Sequence, residues 1–286
     1  MKSLRVITVM VMVLGIFMLL GISLAQAIPL SEGAAFKVQE GSVKDGQTPP
    51  NLLSANALEF SFNSTTTQAT VPGGFSEQGA ASIGGFSLNG TTVPSFLGSP
   101  APQGYAMYAT YTATGNSTFV TPNELEDNYT SFTLHVFIDP NQSVVINTNG
   151  TVSGLTGDEY EIASGTLAPS ALCPTPTCGQ DHVFLPPVLA NGDFHILMNF
   201  LPSADGKQYF VDPSPFYLFV NFAGVISTIQ FPGCTPGTPP VCANFNSTEQ
   251  GSGDAFFPAP EPSSLLLLGA GILVVSARMY RRRQAA

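Results

Sequence analysis

Six carboxylates stand in two short runs, Glu124, Glu126 and Asp127, and then Asp158, Glu159 and Glu161. Carboxylate oxygens suit a hard cation, so either run could supply ligands to Ca²⁺, the one cofactor that these residues suggest. Neither run has EF-hand spacing, and a solvated acidic loop is the competing reading. Two acids that meet only in the fold would also serve glycoside hydrolysis, which fixes no sequence spacing. The chain has no Trp to stack on a sugar ring, although it has eight Tyr.

Nucleophilic chemistry finds less support. Gly74-Phe75-Ser76-Glu77 begins like a nucleophile elbow, but Gln78 stands where the second glycine belongs. There is no Ser-x-x-Lys, no H-E-x-x-H and no phosphate-cradling G-x-x-x-x-G-K. His135 and His195 lie in alternating runs as surface or satisfied polar positions. No catalytic residue is assigned, and the chain is expected not to be an enzyme.

Four cysteines fall as Cys173-x4-Cys178 and Cys234-x7-Cys242, each pair in a Pro-rich stretch. An even count in an exported chain reads as disulfides, and three connectivities are open. The two local pairs are favoured because each closes a short loop. A metal site on Cys173, Cys178 and His182 would lack a settled fourth ligand.

The segments that must position these groups read as strands. Leu58, Phe60 and Phe62 alternate with Glu59 and Ser61, and Phe132, Leu134, Val136 and Ile138 alternate with Thr133 and His135. Further runs cover 105–111, 194–200, 216–222 and 225–231. Turn signals such as Asn89-Gly90 and Asn149-Gly150 separate them, and segments 48–50, 172–176 and 232–240 are Pro-rich loops. These patterns predict an all-β fold, an antiparallel β-sandwich or jelly-roll, occupying 28–250 as one domain. Residues 251–259 read as a flexible stalk. Between 28 and 262 the basic residues are Lys37, Lys44 and Lys207, against all nineteen acids of the chain, a net charge near −16. Such a body repels nucleic acid and attracts cations and basic partners, and without Arg it has no bidentate clamp for phosphate. Seven Asn-x-Ser/Thr sequons, at Asn63, Asn89, Asn116, Asn128, Asn141, Asn149 and Asn246, reflect mostly composition.

The two ends carry addresses. Lys2 and Arg5, an apolar run over 6–20 and Ala25-Gln26-Ala27 have the layout of a signal peptide over 1–27, so the mature chain is expected to begin near Ile28. At the other end Pro260, Glu261 and Pro262 lead into an uncharged apolar stretch over 263–277, closed by Arg278, Arg281, Arg282 and Arg283. Fifteen helical residues rise roughly 22 Å against about 30 Å of hydrocarbon, which suits a transient anchor better than a permanent one. The arginines keep the C-terminus cytoplasmic and place the body outside.

This order over 260–286 resembles the PEP-CTERM sorting signal, a Pro-Glu-Pro motif followed by a transmembrane helix and a basic cluster. The resemblance implies processing by signal peptidase and by an exosortase, an integral-membrane Cys protease, with transient inner-membrane anchoring in a Gram-negative host that makes exopolysaccharide. Parts of the body resemble the flocculation-associated PEP-CTERM proteins, through 104–111, Gly192-Asp193-Phe194, Pro215-Phe216-Tyr217 and 251–257. That second resemblance implies a non-catalytic surface or matrix protein that holds flocs or biofilm together on an exopolysaccharide or another matrix polymer. A secreted carbohydrate-active enzyme or a sugar-binding β-sandwich module is the alternative.

Overall fold

The computed structural model describes residues 35–68, 72–121, 124–168, 179–184, 191–212, 216–230 and 245–257. They belong to one compact unit. Its elements are β1 (Phe36–Gln39), β2 (Leu52–Ala55), β3 (Ala57–Gln68), β4 (Gly73–Leu88), β5 (Thr91–Val93), β6 (Ala106–Thr121), β7 (Glu124–Asp139), β8 (Val145–Ile146) and β9 (Val152–Ser153). There follow β10 (Tyr160–Leu167), β11 (Gln180–Phe184), β12 (Asn191–Pro202), one helical turn α1 (Gly206–Tyr209), β13 (Phe210–Asp212), β14 (Phe216–Gln230) and β15 (Phe245–Phe256).

The all-β, antiparallel expectation holds, but the main sheet does not divide into two facing layers. Its path runs β7-β6-β4-β3-β15-β14-β12, and β12 then pairs with both β10 and β11, each of which pairs back to β7. β10 meets the C-terminal half of β7 and β11 the N-terminal half, so the two lie end to end in one position. Nine strands thus fill eight positions of a closed up-and-down barrel. Alternation of period two describes a sandwich and a barrel equally well, because each buries one face of every strand.

The inner face follows from the register. Phe60, Phe62, Ser64 and Thr66 of β3 stand opposite Ile83, Ala81, Gly79 and Glu77 of β4, which face Met107, Ala109, Tyr111 and Ala113 of β6. In β7 the pairing slips between Thr114 and Gly115 of β6, leaving Thr130 as an extra residue. This bulge resets the parity, so Leu125, Asp127 and Tyr129 are buried before it and Phe132, Leu134, Val136 and Ile138 after it. Outward, β6 presents Thr110, Thr112, Thr114, Asn116 and Thr118. A membrane barrel would show lipid an apolar band there, whereas these hydroxyl and amide groups face water.

One end of the barrel is stoppered. β2, β1 and β13 form a small separate sheet, and Phe36 of β1 packs on Phe257 with ring centroids 4.6 Å apart. Phe257 also meets Phe200 and Phe210, at 5.4 and 5.6 Å. Behind this cluster Glu40 is fully buried and accepts hydrogen bonds from the Tyr105 hydroxyl at 2.9 Å and the Phe96 amide at 3.0 Å. The Asn89-Gly90 turn forms as its sequence predicts, with φ of 52° and 75° between β4 and β5.

The stalk read over 251–259 is corrected: residues 251–256 are the second half of β15, hydrogen-bonded between β14 and β3. Gly251 and Gly253 there stand opposite Phe62 and Phe60, where small residues leave room for the rings. The signal segment, the apolar C-terminal segment, Pro260, Glu261, Pro262, Arg278, Arg281, Arg282, Arg283 and all four cysteines lie outside the described residues. Among the described residues no helix is long and apolar enough to cross a membrane.

Candidate functional site

The barrel interior has two unlike halves. Toward the stopper, aliphatic and aromatic side chains including Leu58, Phe62, Ile83, Met107, Val136 and Leu218 leave a residual cavity of only about 70 Å³. Toward the other end the same inward positions carry Ser64, Thr66, Gln68, Glu77, Ser117, Asp127, Asp181 and Ser247, all buried. Glu249 of β15, partly buried, pairs with Ser64 in register. At this end β3 is joined to β4, β6 to β7, β11 to β12 and β14 to β15.

Each acid reaches the interior by strand parity. Glu77 shares the inward face of β4 with Phe75 and Ile83, Asp127 that of β7 with Leu125 and Tyr129, and Asp181 that of β11 with Val183. Glu77 is held by two phenols: Tyr111 donates to Oε1 at 2.8 Å and Tyr129 to Oε2 at 3.0 Å. Tyr111 reaches Glu77 because its ring lies across Gly79, where a Cβ would come within 2.4 Å of it. Tyr129 is steadied by edge-on contacts with Phe75 at 5.2 Å and Phe194 at 5.1 Å. Glu249 Oε1 accepts from Ser247 at 2.9 Å and from Thr66 at 3.4 Å. Asp127 and Asp181 are direct partners across the β7–β11 pair, and Oδ1 of each is buried with no hydrogen-bond partner among the described residues.

Among the described residues no positive charge compensates these acids. Lys37 pairs with Asp212 at 3.4 Å, Lys44 with Asp205, and Lys207 is exposed on α1, all in the stopper. The histidines face outward beside acids, His135 with Glu161 at 3.2 Å, His182 with Glu124 at 3.5 Å and His195 with Asp193 at 3.8 Å. Burial therefore dominates the titration of the cluster. It raises Glu77 despite the two phenols, pushes Asp127 up to about 6, and, with the charge of Glu77, carries Glu249 to about 8. Asp181 rises well above the usual carboxylate range through burial and then the charges of Glu249 and Asp127. Tyr111 and Tyr129 are likewise pushed up by burial, then by Glu77, and so stay neutral donors.

The acidic runs of the sequence are thus split. Glu124 and Glu126 point outward, while Asp127 joins the interior cluster. In the second run Glu161 turns to His135, and Asp158 and Glu159 approach Asp139 instead, their ligand atoms within 4.8 Å of one another. There Asp139 accepts the Asn141 and Val144 amides at 3.1 and 2.8 Å, and Glu159 those of Thr156 and Gly157 at 2.7 and 2.8 Å. Ser76 lies within strand β4, so the elbow-like Gly74-Phe75-Ser76-Glu77 is not a nucleophile turn. Sequence reasoning passed over Asp181 and Glu249. Their shared parity with Val183 and Ala255 was the available signal.

No curated protein sequence matches the chain. A solved structure, "The crystal structure of Ail, the attachment invasion locus protein of Yersinia pestis", shares 7% identity over 71% of this chain and 99% of that one. Its TM-score of 0.16 is too low to carry an argument. The C-terminal residues 258–283 match the family model of the PEP-CTERM protein-sorting motif. That match marks the chain as an exported protein, sorted through an exosortase to the cell surface.

Proposed function

We propose that this protein is a non-catalytic component of the cell surface or extracellular matrix that supports floc or biofilm cohesion, its partner an exopolysaccharide or another matrix polymer. The sorting motif at 258–283 carries the reading, because a chain addressed in this way acts outside the cytoplasm. The body suits that place. Its outer strands present threonine, serine and asparagine to water, and its net charge near −16 keeps copies apart unless cations bridge them. Signal peptidase removes 1–27, and the exosortase acts near Pro260, Glu261 and Pro262, with Arg278, Arg281, Arg282 and Arg283 holding the tail in the inner membrane until then.

A settling and biofilm assay on wild-type, deletion and tail-less strains tests it. Both mutants should settle poorly while growing normally, since a matrix protein must be held at the surface to act. Normal settling in both would remove the adhesive reading. Rescue of the deletion strain by catalytic amounts of added soluble protein would support a secreted carbohydrate-active enzyme instead.

A further inference from the structure

We propose that the polar half of the barrel interior is a hard-cation site, filled by Ca²⁺ held between Asp127 and Asp181, with Glu249 and Glu77 supplying further negative charge. The two aspartates are direct cross-strand partners on adjacent inward positions. They are 3% and 7% exposed, and each keeps a buried Oδ1 without a hydrogen-bond partner among the described residues. A buried polar atom left unpaired is costly, and two such oxygens facing one interior call for a shared electrophile.

The sequence narrows what that electrophile is. Segments 69–71, 122–123, 185–190 and 231–244, which join the strands at this end, contain no Lys, Arg or His, nor does 169–178 between β10 and β11. No base of residues 28–277 is therefore placed to neutralise the cluster, and only protons or an external cation can do so. The ligand set is all oxygen: carboxylates, the phenols of Tyr111 and Tyr129, and the hydroxyls of Ser64 and Thr66. Zn²⁺ prefers nitrogen and sulfur, and Mg²⁺ gives up its water reluctantly, whereas Ca²⁺ accepts six to eight oxygens in irregular geometry. Binding would exchange Ca²⁺ for the protons of two carboxyl groups, which pass to solvent, so affinity rises with pH.

The group of a buried Asp139 with the half-buried Asp158 and Glu159 is the rival site: most of its carboxylate oxygens already accept protein N–H and O–H groups, but Asp158 Oδ2 is buried without a hydrogen-bond partner among the described residues. The experiment is a titration of the purified protein with Tb³⁺ under tyrosine excitation, with Ca²⁺ as competitor, and calorimetry with Ca²⁺ alone at pH 6 and pH 8. One Ca²⁺ per chain is expected, binding at least ten-fold more tightly at pH 8, with Tb³⁺ emission sensitised by the nearby phenols. Asp127→Asn and Asp181→Asn, made singly, should each weaken binding ten-fold or more and retain a cooperative melt, while Asp158→Asn with Glu159→Gln should leave it unchanged. Absence of binding at pH 8 overturns the proposal and leaves protons as the neutralising partner. Binding lost in the Asp158/Glu159 variant and kept in both single variants overturns it in favour of the Asp139–Asp158–Glu159 group. An aspartate variant that fails to fold is replaced by Tyr129→Phe, whose weakened Tb³⁺ emission, Tyr111 remaining as the second phenol, with retained Ca²⁺ stoichiometry supports the interior site and whose unchanged emission refutes it.

Discussion

Asp127 and Asp181 face each other across two antiparallel strands inside a barrel whose described residues offer them no positive charge. Like-charged residues directly opposite in a sheet repel, and burial adds to the cost, so both cannot stay ionised without a cation.

Stability should therefore fall as pH rises when divalent cations are chelated. Glu77, Asp127, Asp181 and Glu249 all hold their protons more tightly in the native state than in the unfolded chain, where carboxyl groups titrate near pH 4. The native state thus carries more protons above that point, and stability is lost as pH climbs through about 6 for Asp127 and about 8 for Glu249. A shift of roughly two units costs about 3 kcal/mol for Asp127 alone, or roughly 6–12 °C in Tm. Thermal melts in chelator from pH 5 to pH 9 measure this. A Tm that rises over the range contradicts the arrangement.

Gly79→Ala should destabilise the barrel by about 1–3 kcal/mol, the usual cost of overpacking. The added Cβ would lie 2.4 Å from the Tyr111 ring and push the phenol off Glu77. Gly115→Ala should cost at least as much, because its Cβ meets the Asn128 carbonyl oxygen at 2.3 Å, and backbone yields less than a ring. Denaturant unfolding compares the two, and wild-type midpoints for both would show that the interior packs otherwise.

Tyr111→Phe and Tyr129→Phe should each remove one donor to Glu77 at an expected cost of about 1–3 kcal/mol where the carboxyl group is left short of a partner. The double variant should cost less than the sum of the two, because a Glu77 stripped of both donors is held more firmly protonated and no longer needs them as an anion. Strict additivity in a double-mutant cycle would mean that the phenols act independently of the charge they share.

The strands and their polarity were legible in sequence because alternation records which side of each chain is buried, and Phe132, Leu134, Val136 and Ile138 obey it without exception. Closure was not. It depends on β12 pairing with β14 and on β10 and β11 sharing one position, long-range facts that leave no local pattern. The acidic site was half visible. Glu77 alternates in phase with Phe75 and Ile83, a core-face signal, but it was read only as part of an elbow-like run. Asp127 was misgrouped with Glu124 and Glu126, because neighbours in sequence point to opposite sides of a strand. Asp181 and Glu249 sit 54 and 122 residues from Asp127, and only the folded register brings all of them to one interior. Glycine misled at 251–253, where it marks room for Phe60 and Phe62 and not a linker.

The boundary between body and tail follows from β15 and gives the last prediction. A chain ending at Gln250 would lose residues 251–256, which pair with β3 from Phe62 to Ala57 and with β14 from Gly224 to Phe219. It would also lose Phe257, fully buried against Phe36, Phe200 and Phe210, and loss of such a ring alone costs about 3–5 kcal/mol. Together these exceed much of the roughly 5–15 kcal/mol by which a domain is stable, and they expose two unpaired strand edges. Residues 28–250 should therefore be insoluble or melt without cooperativity, while 28–262 should melt as the full-length protein does. The same geometry requires the exosortase to cut on the C-terminal side of Phe257, so the intact mass of protein recovered outside the cell should place its end beyond that residue. A cooperative melt for 28–250, or a secreted form ending before Phe257, would show that the barrel does not need the second half of β15 to close.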